Sequence, residues 1–334
     1  MEFVDLYTLI TNPPDKVGNL WGGDTVSLVP RRGLTLLHSG SKMGKSMMLL
    51  NFAIAGARGD AQYLGFPING PFNSLIFQGE IHLRGIYERV DVMLRKYLEA
   101  GDITAEAMKR IVVNVKREQR LSEDAAFIEF RDAVRKIQPD FIGLDPLAHV
   151  LTTNENDNAV VGAMLEKLAT LRDDPGAAIM LVHHDAKVSE STAMRSPQQR
   201  ARGADRLNAD PDCILSLVPG ARLPTGPTGT MHVASRYGRS VAPMNLKLNE
   251  DCLWFEEYIE VGNTKQIALW ISESGHAIVN ESWLVEQIER GWDLHDPKQH
   301  RAALRYIKRA MDDGFIVLCD EVDDERFYRV KEEK

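Results

Sequence analysis

Short apolar runs alternate with amphipathic stretches from residue 33 to about residue 218. Between the apolar runs, apolar positions recur at helical spacing near 84–99, 103–110, 123–137 and 157–172. Strands separated by helices in this rhythm predict right-handed βαβ units, and therefore an α/β fold with a central, mostly parallel sheet covered on both faces. The predicted parallel strands are Leu34–Leu37, Ser74–Gln78, Ile111–Val115, Phe141–Leu144 and Ala178–Val182.

Further strands are predicted beyond this region at Cys213–Val218, Met231–Ser235 and Leu246–Leu253. The Pro- and Gly-rich stretch Pro219–Gly229 is predicted as a hairpin loop. At the other end, Pro13-Pro14 and Gly22-Gly23 break any regular pattern, so residues 1–30 are predicted to be an irregular N-terminal lead-in.

The pattern changes after residue 260. Three helical segments, 264–274, 282–290 and 298–313, precede a strand-turn-strand pattern at Phe315–Cys319 and Arg326–Val330. Three helices and a terminal hairpin predict a small C-terminal winged-helix domain at 261–334, after the larger α/β domain at 31–260. This segment carries 11 Lys and Arg against 15 Asp and Glu, and its turn is acidic. A protein-contact or regulatory role therefore fits it as well as duplex binding.

Composition narrows the class of protein. The 334 residues carry a net charge of −8, so any nucleic acid would have to be held by local basic loops or through assembly. Three widely spaced cysteines indicate reduced thiols of a cytoplasmic protein. The acidic N-terminus does not have the pattern of a signal peptide, and no apolar run is long enough to predict a membrane span.

The segment GLTLLHSGSKMGKSMMLL at 33–50 predicts a phosphate-binding loop between a strand and a helix. Small residues let backbone N–H groups surround a phosphate, Lys45 can reach the β- and γ-oxygens of ATP, and the Ser46 hydroxyl can bind Mg²⁺. Ser39 stands where the usual spacing has its first glycine. The predicted nucleotide-binding residues are Ser39, Gly40, Ser41, Lys42, Met43, Gly44, Lys45, Ser46 and Met47.

Polar side chains directly follow three other predicted strands, at the edge where ligands bind in an open parallel sheet. Asp145 can bind Mg²⁺, directly or through water, or it can be a turn residue before Pro146. Glu80 can orient and deprotonate the water that attacks the γ-phosphate, or it can be a solvated strand end. His184 can sense the γ-phosphate while His183 packs below the sheet, or both can be structural.

Hydrolysis at such sites needs a cation that neutralises transition-state charge, often from a neighbouring subunit. Four arginines late in the domain are candidates: Arg202, Arg206, Arg236 and Arg239. Arg236 directly follows a predicted strand, from which it could project across an interface. We therefore rank Arg236 first and Arg206 second.

The ordered series GLTLLHSGSKMGKS, FQGE, FIGLDPL, LVHHDAK and RGAD resembles the RecA-like ATPases of the RepA type, which are hexameric replicative helicases of plasmids and phages. The resemblance covers about residues 20–250. It implies that Lys45 and Ser46 bind phosphate and Mg²⁺, Glu80 is the base, Asp145 the metal carboxylate, His184 the sensor and Arg236 the trans-acting finger.

The chain departs from that family pattern at three places. Ser39 replaces a glycine, Ala234-Ser235-Arg236 lacks the lysine of the family's Lys-x-Arg, and the second family arginine falls near Asp212. Slow or partner-dependent hydrolysis would be consistent with these differences.

Three functions built on the ATPase core remain open from the sequence, beside a non-catalytic binding protein, whose function Lys45→Ala and Glu80→Gln would leave intact. The first is an ATP- and Mg²⁺-dependent motor on single-stranded DNA, assembled as a homo-oligomeric ring, most simply a hexamer. The second is a nucleotide-dependent switch or loader that recruits replication proteins through the winged helix, and the third is a recombinase-like filament. Loops 151–158 and 187–203 are candidates for DNA contact. The second of these offers Lys187, Arg195, Arg200 and Arg202.

Overall fold

The computed structural model describes residues 4–13, 16–114, 119–151, 157–186, 196–201, 205–223, 226–258, 264–291, 297–322 and 325–331. The packing divides the chain into two compact units, Met1–Glu257 and Tyr258–Lys334. Within the described residues, no helix combines the length and apolarity that crossing a membrane would need.

The first unit alternates strands and helices as the apolar pattern predicts. Its described helices are α1 (Leu6–Thr11), α2 (Lys45–Arg58), α3 (Leu83–Ala100), α4 (Ala105–Lys109), α5 (Asp124–Ile137), α6 (Leu147–Val150), α7 (Asn158–Asp173) and α8 (Arg206–Ala209), with a 3₁₀ turn at Pro197–Gln199. Its described strands are β1 (Asn19–Gly22), β2 (Ser27–Pro30), β3 (Leu34–Ser39), β4 (Gln62–Tyr63), β5 (Phe66–Pro67), β6 (Ser74–Gln78), β7 (Ile111–Asn114), β8 (Phe141–Asp145), β9 (Ala178–His184), β10 (Cys213–Leu223), β11 (Gly226–Ser235), β12 (Met244–Asn249) and β13 (Trp254–Glu257).

A nine-stranded sheet forms the centre of this unit, in the order β13-β12-β11-β10-β3-β9-β8-β6-β7. Strands β10, β3, β9, β8, β6 and β7 run parallel, and β11, β12 and β13 extend the sheet in antiparallel fashion. Successive residues of β3 face opposite layers, because Leu36 packs into one core cluster and Leu37 into the other. The predicted mostly parallel sheet with two covered faces is therefore confirmed.

The antiparallel part of the sheet is more extensive than predicted. Most of the predicted loop Pro219–Gly229 is strand, since β10 and β11 stay paired as far as Leu223 and Gly226. The single strand predicted at Leu246–Leu253 is replaced by β12 and β13, which pair with each other. Pairing between neighbouring strands explains why these segments are longer or more numerous than predicted. Hydrogen bonds across the antiparallel ladder hold Pro and Gly in extended conformations despite their low strand propensity.

The prediction that residues 1–30 form an irregular lead-in is wrong for α1, β1 and β2, which are regular elements of that segment. Strands β1 and β2 pair as an antiparallel hairpin. Trp21 on β1 is completely buried, stacks on Phe52 of α2 with ring centroids 5.3 Å apart, and donates its indole N–H to the Tyr63 carbonyl at 3.0 Å. The hairpin belongs to the first unit, where its Trp21 packs against Phe52 of α2.

The second unit contains α9 (Thr264–Glu273), β14 (Val279–Asn280), α10 (Glu281–Gly291), α11 (Pro297–Asp312), β15 (Ile316–Val322) and β16 (Glu325–Val330). The strands form an antiparallel sheet in the order β14-β16-β15. Ile267, Leu284 and Ile307, one from each helix, are buried together against Ile316 and Tyr328 of the sheet. The helices and the terminal hairpin lie where the sequence predicts them, whereas β14 was not predicted.

Candidate active site

The loop between β3 and α2 has the backbone that the sequence pattern requires. Strand β3 ends at Ser39, and α2 begins at Lys45. Gly44 caps α2 in the left-handed region, with φ 81°, and a Cβ at this position would lie 2.8 Å from Cζ of Phe255. Glycine is therefore required at residue 44 both by conformation and by space. The turn directs the N-terminus of α2, with its unpaired N–H groups, toward the loop.

Lys45 is folded into this loop. Its ammonium donates to the Gly40 carbonyl at 2.8 Å, to the Ser39 carbonyl at 3.2 Å and to the Ser39 hydroxyl at 3.1 Å. Burial lowers the pKa of Lys45, and the negative charges of Asp185, Asp145 and Glu80 oppose that shift. Ser39, the departure from the family pattern, thus supplies a side-chain ligand for the lysine that a glycine would lack.

Asp145 is the last residue of β8, and its side chain is buried at 2% exposure. Gln78 at the end of β6 donates to its carboxylate at 2.7 Å, and Ser46 also hydrogen-bonds it. Burial raises the pKa of Asp145 above its ordinary value of 3.8, and the Ser46 and Gln78 hydrogen bonds oppose that shift. A buried carboxylate bonded to the predicted Mg²⁺-binding hydroxyl matches the oxygen-donor chemistry of magnesium.

Glu80 lies two residues after the end of β6 and is exposed. Its backbone N–H donates to Oε1 of Gln78 at 2.9 Å, so a single glutamine holds both the buried Asp145 carboxylate and the start of the Glu80 turn. The charge of Glu80 raises the pKa of both Lys45 and Asp145. The predicted base therefore belongs to the same electrostatic cluster as the predicted phosphate and metal ligands.

His184 ends β9 beside the phosphate loop. It pairs in register with Ser39, and its Nδ1 lies 3.4 Å from the Lys45 ammonium. His183 is completely buried in the sheet, as the alternation of side chains along a strand predicts. The two histidines thus lie in different environments, and in the described contacts it is His184 rather than His183 that lies beside Lys45.

Four further residues at this edge were missed by the sequence analysis: Gln78, Asp185, His38 and Arg89. Gln78 and Asp185 neighbour selected residues in sequence. Arg89 lies on α3, and its positive charge lowers the pKa of Asp145. His38 bonds Asp185, as described below. A polar residue inside an apolar strand, such as His38 in LTLLHS, was the available signal for a buried polar contact.

Arg206 and Arg236 lie at the opposite edge of the sheet. The backbone N–H of Arg236 donates to the carbonyl of Asp212, whose carboxylate accepts from Leu34, the first residue of β3. Since β3 has six residues, about 17 Å of strand separates that edge from the phosphate loop. The structure therefore does not bring either arginine to the nucleotide edge of its own chain.

The two arginines differ in how they are held. Arg206 pairs with Asp210 at 2.8 Å and with Glu166 at 3.6 Å, and its guanidinium lies over Gly162 of α7. Arg236 is exposed and donates to the Ala209 carbonyl at 2.6 Å. Arg206 is thus fixed by carboxylates of its own chain, whereas Arg236 has only carbonyl partners among the described contacts.

The DNA-contact candidates are mostly outside the described residues. Lys187, Arg195 and Arg202 fall there, as do most of loops 151–158 and 187–203. Arg200 is among the described residues and is half-buried. The pKa of His232 on β11 is lowered mainly by the burial of His232 and also by the positive charge of Arg200. Its carbonyl accepts from the Ala186 N–H at 2.9 Å, next to a bridge between Asp185 and Ala201.

A metal ion at this edge would draw on few protein ligands. In the described part of the chain, no three His, Cys, Asp or Glu side chains group as a metal cluster. The Ser46 hydroxyl and the Asp145 carboxylate, already hydrogen-bonded to each other, fit a Mg²⁺ ion whose other ligands are phosphate oxygens and water.

The sheet order, the phosphate loop at its centre and the carboxylates on the neighbouring strands define a RecA-like P-loop ATPase. Residues 4–190, more than half of the sequence, match the AAA domain family (AAA_25), and the chain belongs to that family. A comparison with curated proteins finds no match. Among solved structures, the fold is similar to the KaiC-like protein PH0186 from the hyperthermophilic archaeon Pyrococcus horikoshii OT3, with 14% identity, a TM-score of 0.48, and coverage of 74% of this chain and 100% of that chain.

Proposed function

We propose that the protein hydrolyses ATP with Mg²⁺ and uses the energy as a ring-shaped motor on single-stranded DNA, in the manner of a RepA-type replicative helicase. The chemistry follows from the described edge. Lys45 binds the β- and γ-phosphates, Ser46 and Asp145 hold Mg²⁺, Glu80 takes the proton of the attacking water, and His184 contacts the γ-phosphate.

The observation that supports assembly is the separation of Arg236 from the phosphate loop across the sheet. A cation at the far edge can serve only the nucleotide of another copy. Head-to-tail contacts of this kind form a closed ring when the rotation between successive copies closes, as it does in a hexamer. The exposed position of Arg236 favours it over Arg206, whose guanidinium is held by two carboxylates.

Arg200 supports a role on DNA. It belongs to the segment of predicted DNA contacts, and its backbone is joined through Ala186 to the strand that carries His184. A cation tied to the sensor strand is in a position to link phosphate-backbone contact with the nucleotide site.

The second unit supports recruitment of replication proteins. Its helices and hairpin have the composition of a winged helix with an acidic hairpin, since Asp320 and Glu321 are exposed there and Glu325 is half-buried. Arg305, Lys308 and Arg309 are exposed on α11. We assign this mixed surface to a protein partner, because acidic side chains on the hairpin disfavour a DNA duplex.

The test of the motor is the ATPase rate with and without single-stranded DNA, read beside the oligomer mass with a non-hydrolysable ATP analogue. We expect a ring and a DNA-stimulated rate, with the stimulation reduced in Arg200→Ala. Arg95→Ala, which removes an exposed helix arginine paired with Asp91, is the charge-matched control. ATP hydrolysis without DNA stimulation would favour the switch or loader, and open filaments would favour the recombinase-like protein.

The trans role of Arg236 predicts complementation between two inactive variants. Arg236→Ala and Lys45→Ala should each lose ATPase activity by about 100-fold or more, because each removes a cation from the transition state. Mixing them should restore part of the activity, since some interfaces then combine an intact Lys45 with an intact Arg236. The measurement is the ATPase rate against mixing ratio. A mixture no more active than its components would show that Arg236 does not act across an interface.

A further inference from the structure

Three hydrogen-bonded polar side chains, of which two are buried, cross the sheet just before the phosphate loop. Nε2 of His38 on β3 lies 2.7 Å from the Ser216 hydroxyl on β10, and its Nδ1 lies 2.6 Å from Oδ1 of Asp185 after β9. His38 and Ser216 are 0% and 2% exposed. A neutral imidazole satisfies both contacts, with Ser216 donating to Nε2 and Nδ1–H donating to Asp185.

This connectivity is that of a Ser-His-Asp triad, but the burial excludes hydrolysis of an acyl substrate by Ser216. A nucleophile must reach a carbonyl carbon, and a hydroxyl at 2% exposure beneath the sheet surface offers no approach. Any role of these three side chains therefore lies in what they do to one another. Of the three, only Asp185 extends toward the nucleotide edge.

Asp185 lies between the phosphate loop and the segment that follows the 3₁₀ turn and carries Arg200. Its backbone N–H donates to the Ser39 carbonyl at 2.9 Å, the same oxygen that accepts from Lys45 at 3.2 Å. Its charge raises the pKa of Lys45. Nevertheless, the described contacts of the Lys45 ammonium are with Ser39, Gly40 and His184, and they include no ion pair with Asp185.

We propose that His38 is a positioning residue that restrains the Asp185 carboxylate, so that Lys45 remains available to the phosphates of the nucleotide. A carboxylate released beside a partly buried ammonium would pair with it, because opposite charges attract strongly where water is scarce. Such an ion pair competes with phosphate for the same three N–H donors. The hydrogen bond to His38 directs Asp185 away from that pair. This inference rests on the proposed nucleotide site.

Two isosteric substitutions separate the two bonds of His38. His38→Asn places an amide donor near the Nδ1 position and keeps the bond to Asp185, whereas His38→Gln reaches the Nε2 position and keeps only the bond to Ser216. We expect His38→Gln to weaken binding of a non-hydrolysable ATP analogue with Mg²⁺ by about tenfold, the scale of one lost charge-assisted hydrogen bond. His38→Asn should bind within about twofold of the wild type.

The double variant His38→Gln/Asp185→Asn decides between positioning and stability alone. Removing the competing carboxylate should return the affinity to near the wild-type value, although the buried hydrogen bond is still missing. Ser216→Ala is the control for a lost buried bond that leaves Asp185 restrained, and it should lower the melting temperature without changing affinity. Equal affinities in His38→Gln and the wild type, or no recovery in the double variant, would overturn the proposal.

The wild-type titration separates this inference from the proposed function. If the wild type binds the analogue and the substitutions behave otherwise, the role of His38 is wrong and the nucleotide site stands. If the wild type binds no nucleotide, both are wrong. Circular dichroism of each variant at the titration temperature shows that a folded protein was measured.

Discussion

Glu80→Gln is expected to lower the kcat of ATP hydrolysis by about 100-fold or more, the range for losing a general base, while nucleotide binding is retained. The substitution keeps the size of the side chain and removes its ability to take a proton from water. The backbone at this position should not move, because the Glu80 N–H is held by Gln78 Oε1 at 2.9 Å. Steady-state ATPase assays and analogue binding measure the two effects separately.

Glu88→Gln is the matched control for Glu80→Gln. Glu88 lies on α3, is exposed, and pairs with Arg84 at 2.7 Å, so the same chemical change there should leave kcat within about twofold, as for most surface substitutions. An unchanged kcat in Glu80→Gln would exclude Glu80 as the base. Loss of nucleotide binding would instead make Glu80 a structural member of the charge cluster around Lys45 and Asp145.

The arrangement of strands along the chain was largely predictable, and the reason is local. Apolar runs such as Ser74–Gln78 are buried over their whole length, and their shortness and continuous apolar character, rather than any alternation, mark them as central strands. Glu80, Asp145 and His184 were placed at one edge by topology, since parallel strands end on the same side. Their convergence needed no knowledge of side-chain contacts.

What could not be predicted depends on contacts between residues distant in sequence. The Gln78 amide meets Asp145 and the His38 imidazole meets Ser216 only because β6 lies beside β8 and β3 beside β10. Trp21 was predicted to lie in an irregular segment, because nothing local shows that its indole packs against Phe52. The N-terminal hairpin is thus defined by its tertiary packing rather than by its own pattern.

The proposed role of Arg236 at an interface can be derived neither from the sequence alone nor from the fold of a single copy. The sequence marks it as a cation after a strand, and the fold puts it at the edge opposite to Lys45. Neither observation includes the second copy that would complete the site. A hypothesis that was drawn from one strand end therefore depends on the geometry of an assembly.

Asp145→Asn is expected to lower ATP hydrolysis by about 100-fold and, at the same time, to stabilise the protein without nucleotide by about 1–2 kcal/mol. The first effect follows from removing the charge that binds Mg²⁺ in the proposed site. The second follows from burial, which raises the pKa of Asp145 because the carboxylate is costly to keep charged at 2% exposure. The charged carboxylate of Asp145 thus lowers the stability of the fold at a proposed catalytic position, as is typical of active sites.

The stabilisation expected for Asp145→Asn depends on pH in a definite direction. A carboxyl group whose pKa is raised in the folded state stabilises the fold when it is protonated, and that contribution is lost as the pH rises through the folded value. The stability gain of Asp145→Asn should therefore increase as the pH rises above the ordinary value of 3.8 and fall away as the pH approaches that value. Thermal unfolding between pH 4 and pH 8 measures it, with the exposed Asp132→Asn as control. A variant less stable than the wild type at neutral pH would show that the hydrogen bonds from Ser46 and Gln78 to the carboxylate outweigh its desolvation.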